Sequence, residues 1–63
     1  MLKPYIVEYN DPWSCFDRTT VKAEDLDSAW IKIKENLKSG SIVLRVYEPV
    51  FNGEYLIGDY SME

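Results

Sequence analysis

Few side chains in this 63-residue sequence could make or break bonds. Cys15 is the one thiol and there is no histidine, so no imidazole is available to activate a thiol or a hydroxyl. This removes Cys-His and Ser-His nucleophiles, His-based acid–base catalysis and every Cys/His zinc framework. Cys15 reads as a partly packed thiol that cannot form an internal disulfide, which suits a reducing compartment. Asp25 and Asp27 are close enough for paired-carboxylate chemistry, but they stand where a helix begins, and capping accounts for them better. Gly40, Gly53 and Gly58 are scattered singly, so they assemble no phosphate cradle. Lys32, Lys34 and Lys38 read as a solvated helix face. No catalytic residue, cofactor or metal ligand is assigned, and a non-enzymatic role is expected. The remaining chemistry is recognition, for which Arg45 and Tyr47 stand out, because arginine and tyrosine are enriched among residues that carry binding energy.

The elements that must position these residues follow from periodicity. Tyr5, Val7 and Tyr9 alternate with Ile6 and Glu8 as a first strand, and Asn10 to Ser14, containing Pro12, is the expected loop. Phe16 to Lys22 alternates again, with Arg18, Thr20 and Lys22 on one side and Thr19 and Val21 on the other. Leu26, Ala29, Trp30, Ile33 and Leu37 then fall at helix spacing, with Asp25 placed as N-cap and Ser39-Gly40 as the expected stop. Ser41 to Glu48 is a third strand, predicted to face Ile42, Leu44 and Val46 inward and Val43, Arg45 and Tyr47 outward. Asn52-Gly53 predicts a hairpin turn into a fourth strand, Glu54 to Tyr60, and the tail Ser61-Met62-Glu63 is expected to be loose. A helix crossover from strand two to strand three places strand three beyond strand one. The predicted fold is α+β, ββαββ, a single domain over 1–63: a four-stranded antiparallel sheet in the order 2-1-3-4 with one helix packed on one face.

One helix covers one side of such a sheet, so the other side becomes the candidate site. Ile6, Glu8, Arg18, Thr20, Lys22, Val43, Arg45 and Tyr47 are expected there, a mixture of apolar and charged groups suited to a protein interface or to an ordinary solvated face. The residues proposed for partner binding are Arg45, Tyr47, Val43, Ile6 and Arg18, with Trp13 in the first loop. Arg45 is either a binding anchor or the cross-strand ion partner of Glu8. Trp13 either plugs the sheet edge, the preferred reading, or meets a partner.

Eleven acidic against seven basic side chains give a net charge of −4, which disfavours direct contact with nucleic acid and favours a protein partner. The start Met1-Leu2-Lys3-Pro4 carries no leader pattern and no run approaches a membrane span, so a cytoplasmic location without membrane association is expected.

The run Thr20 to Ala29, followed after the helix by Arg45-Val46-Tyr47-Glu48-Pro49, resembles the small bacterial RNA polymerase inhibitor family of T7-like phages over roughly residues 3 to 50. The resemblance implies a strand, strand, helix, strand order and a protein that occupies the DNA channel of the polymerase through a pair of arginines on the strand after the helix. Arg45 matches the first of that pair. Tyr47 stands where the second would be, and the Asn52-Gly53 hairpin lies where the family has a short tail. The expected function is therefore a phage-type inhibitor that blocks a host nucleic-acid-processing machine, with bacterial RNA polymerase as first candidate. An anti-restriction or anti-CRISPR protein, a homodimeric structural or regulatory protein and a small-molecule sensor domain are the alternatives.

Overall fold

The structure, a computed structural model, describes residues 1–60; the tail Ser61-Met62-Glu63 lies outside the described residues. Strands β1 (Lys3–Asn10) and β2 (Phe16–Ala23) are followed by helix α1 (Leu26–Asn36) and strands β3 (Ile42–Val50) and β4 (Gly53–Asp59). All neighbouring strands are antiparallel and the sheet order is β2-β1-β3-β4, as the crossover argument predicts. The protein is thus α+β with a ββαββ topology.

The helix forms where its stripe requires. Ala29 and Ile33 are buried, while Leu26, Trp30 and Leu37 pack at the margin of a core completed by Tyr5, Val7, Val21, Ala23 and Val46. Asp25 is extended and its carboxylate accepts from the Ser28 N–H at 2.8 Å, satisfying a donor that the first turn would leave open. The C-terminus differs from the Ser39-Gly40 stop. Leu37 already turns extended, its N–H still donating to the Ile33 carbonyl, because this swings its side chain onto the core. Gly40 instead occupies the third position of a separate turn closed by the Ser41 N–H on the Lys38 carbonyl, where φ of +95° favours glycine. A Cβ there would meet Pro12 only at ordinary van der Waals distance, so it is the backbone conformation that calls for glycine. The Lys32 ammonium donates to the Lys22 carbonyl and ties the helix to β2.

The main departure is in β3. Glu8 pairs with Arg45 and Tyr9 with Val43, so Leu44 is an extra residue, a bulge that inverts the alternation upstream of it. Val46, Arg45 and Tyr47 keep their predicted sides. Val43, predicted outward, packs against the core, whereas Ile42, predicted inward, is 61% exposed and Leu44 is only half-buried. A second irregularity in β4 makes Ile57 the extra residue between the pairs Val46–Gly58 and Tyr47–Leu56, and Ile57 also packs against the core. The bare backbone of Gly58 leaves room for the Tyr60 ring, which meets Trp30 edge-on at 5.2 Å between centroids.

The hairpin turn also sits one residue earlier than Asn52-Gly53 predicts. Val50 pairs with Gly53, so Phe51 and Asn52 form the loop, with Asn52 alone of the two at positive φ (+74°). This is the geometry of a turn whose third residue must be left-handed, a conformation that asparagine tolerates and β-branched residues do not. Asn52→Val is therefore expected to lower stability by about 1–2 kcal/mol relative to Asn52→Gly. Thermal denaturation of the two variants checks this, and equal midpoints would show that position 52 is not held left-handed.

Candidate functional site

The sheet face away from α1 is built by the even positions of the first two strands and the matching positions of β3 and β4. Ile6 pairs with Thr20 and Tyr47, and Glu8 with Arg18 and Arg45. Beyond them Leu56 stands opposite Tyr47 and Asp59 opposite Arg45. Ile6, Arg18, Arg45 and Tyr47 are therefore brought together as predicted. Val43 is not among them, because the bulge at Leu44 turns it to the helix side.

Glu8 organises this face. Its carboxylate accepts from Arg45 Nε at 2.7 Å and from the Tyr47 hydroxyl at 3.1 Å, both on the same oxygen. Only 12% of the Glu8 side chain is exposed, so the ion pair is held in a partly desolvated setting where it orients both partners. The Arg45 hydrogen bond holds the Glu8 carboxyl below its usual range against the opposing effect of burial, and the Tyr47 bond acts in the same direction. Burial and that bond to Glu8 push the Tyr47 phenol up. Of the two readings of Arg45, the structure shows the cross-strand ion pair with Glu8, and that pair fixes the guanidinium on the open face.

Arg18 is fixed differently. It donates to Glu54 Oε2 at 2.7 Å, and its guanidinium carbon lies 5.9 Å from the centre of the Tyr47 ring. Arg18 is on one edge strand and Glu54 on the other, three strand spacings or about 14 Å apart across a flat sheet. They are offset along the strands as well, since the row of Arg18 ends at Asp59 and that of Glu54 at Pro49. Side chains from opposite edges meet because the sheet curves, as twist enhanced by two bulges allows. The result is a strap across Tyr47. Glu54 and Leu56 escaped the sequence reading because their face depends on the turn position; with Phe51-Asn52 as the loop, Glu54 falls opposite Pro49 and on the side of Tyr47.

Trp13 does not plug the sheet edge. It is 69% exposed, in a loop shaped by Asp11, whose side chain accepts from the Trp13 and Cys15 N–H groups, both at 2.9 Å. Ser14 takes the left-handed conformation needed to close this loop, so the chain doubles back before Trp13 can reach the core. The ring is instead covered by the Lys38 ammonium, 4.9 Å from its centre. The exposed Cys15 shares this loop. Among the described residues no three carboxylates or thiols converge into a cation site, and no helix is long and apolar enough to cross a membrane.

Comparison of the chain with protein-family models, curated proteins and solved structures finds no match.

Proposed function

We propose that this protein is a small, non-enzymatic, phage-type inhibitor that acts in the cytoplasm of a bacterial host by binding a protein of its nucleic-acid-processing machinery through the open sheet face. The observation that carries the reading is the placement of Arg45 and Tyr47, adjacent on a face no helix covers and oriented by one half-buried carboxylate, Glu8. Side chains held in this way lose little freedom on docking, which favours them as anchors. Bacterial RNA polymerase is the first partner to test, because Arg45 matches an arginine of the inhibitor family that the sequence resembles. The net charge of −4 suits a basic channel, and inhibition would be steric.

Immobilised protein should capture polymerase from bacterial lysate, with Arg45→Ala and Tyr47→Ala each weakening capture roughly tenfold or more. Circular dichroism guards against unfolding, and Val46→Ala serves as the core control, since Val46 is fully buried. Recovery of the same proteins by wild type and both variants would show that this face is not the binding surface.

A second reading rests on the β3–β4 hairpin, where Phe51 is 93% exposed and Val50, Tyr55 and Leu56 also stand free at the sheet edge. Edge-to-edge pairing of two copies would cover these groups. Light scattering separates the readings, because a stable dimer contradicts a monomeric inhibitor.

A further inference from the structure

On the opposite side of the molecule, the last turns of α1 and the start of β3 enclose an open groove of about 580 Å³. It exists because α1 lies chiefly against β2, on one half of the sheet, and leaves the core side of β3 partly bare. Trp30, Ile33, Leu37 and Val43 form its apolar walls, and the exposed Lys34 and Lys38 stand on its rim. Among the described residues no carboxylate lines it, in a chain whose net charge is −4. Ser41 contributes a buried hydroxyl that has no hydrogen-bond partner among the described residues. Beyond Leu37, Lys38 and Ser41 a second hollow of about 250 Å³ contains Asp11 and Asp17. The groove therefore has a direction, with its anion-accepting end at Lys34 and a carboxylate-lined neighbour on the far side of Ser41.

We propose that this groove is a second docking site, independent of the open sheet face, and that its occupant is an acidic peptide segment of a partner protein carrying a bulky apolar side chain. The apolar side chain would lie between Trp30, Leu37 and Val43. Peptide carboxylates would meet Lys34 and Lys38 at the rim. An extended peptide suits the site because the groove is open along one side, where a small ligand would stay half in water.

The test is titration of the isotopically labelled protein with a capped peptide of sequence Glu-Asp-Leu-Phe-Asp-Glu, followed by amide and indole chemical shifts. Saturable shifts at Trp30, Leu37, Ser41 and Val43 are expected. The double charge reversal Lys34→Glu/Lys38→Glu should weaken binding at least tenfold. Lys3→Glu, the same change at the far end of β1, should not alter it. Replacing Leu-Phe by Ser-Ser in the peptide should abolish the shifts. Both lysines are exposed, so the reversal leaves the core intact. The proposal is overturned by the absence of saturable shifts up to ~1 mM peptide, by shifts confined to other surfaces, or by binding that ignores the charge reversal. It is equally overturned by binding that requires removal of residues 61–63, which would assign the groove to the chain's own C-terminal segment.

Discussion

Ile33→Ala is expected to lower the unfolding free energy by about 2–5 kcal/mol, the range for truncating a large buried aliphatic side chain. Ile33 is almost fully buried at the centre of the helix stripe, where it meets a core whose other fully buried large side chains are Val7 and Val46. A core this small has no neighbours to spare for filling the resulting cavity. At the usual 0.05–0.15 kcal/mol per residue, a chain of 63 residues has roughly 3–9 kcal/mol of stability in all. One substitution therefore removes from about a fifth to all of it. Urea denaturation should show the midpoint falling with little change in slope. The control is Ile31→Ala, two residues away on the outer face and 61% exposed, which should stay within about 0.5 kcal/mol of wild type. Equal losses at the two positions would mean that the helix does not present this stripe to the sheet.

The second large effect is on the acid limb of stability. The Glu8 carboxyl lies below its ordinary range in the folded protein, chiefly through the Arg45 hydrogen bond, so folding favours its ionised form. Its contribution is complete above the ordinary glutamate value of about 4.3 and is lost as pH falls through the lower folded value. Glu8→Gln should therefore be less stable than wild type at neutral pH, with the difference closing at strongly acid pH. Between those limits the variant should take up fewer protons on unfolding than wild type does, by up to about one proton. A shallower residual slope should remain from Asp25, whose carboxyl is also lowered, by its bonds to Ser28. The alkaline limb has the opposite sign, because the raised Tyr47 phenol stabilises the fold below its ordinary range and that contribution disappears as it ionises. Denaturant titrations from about pH 2 to pH 7 test the acid limb, and parallel profiles for wild type and Glu8→Gln would show that Glu8 is not the carboxylate that acid disables.

These two residues also mark how legible the molecule was. Ile33 could be placed from sequence because helix periodicity is a local property: Leu26, Ala29, Trp30, Ile33 and Leu37 share one side of any helix that contains them. The sheet order was legible for a similar reason, since a crossover through one helix leaves few un-knotted arrangements. Glu8 was visible only as a possible partner of Arg45, and the pairing register confirms that contact. The face of Val43 was hidden, because Ile42, Val43 and Leu44 are all apolar and fit either phase, and the bulge at Leu44 arises from pairing with β1, a strand more than thirty residues earlier. Nothing local within such an apolar run tells which of its residues is the extra one. The Arg18–Glu54 strap was hidden more deeply, since it needs the sheet order, the turn at Phe51-Asn52 and the sheet curvature together.

That strap bears on the kinetics of encounter. The open face carries Arg18, Lys22 and Arg45 against Glu8, Glu54 and Asp59, so it is balanced in charge, and the −4 of the chain resides elsewhere on the molecule. A basic partner would be drawn in over distance by the whole molecule, an attraction screened within about 8 Å at physiological ionic strength. Once it arrives, it meets a neutral surface whose arginines are already engaged. Salt should therefore slow association markedly while changing the lifetime of the complex little, because residence depends on short-range exchange of the Glu54 carboxylate for a group of the partner rather than on the field that brought the two together.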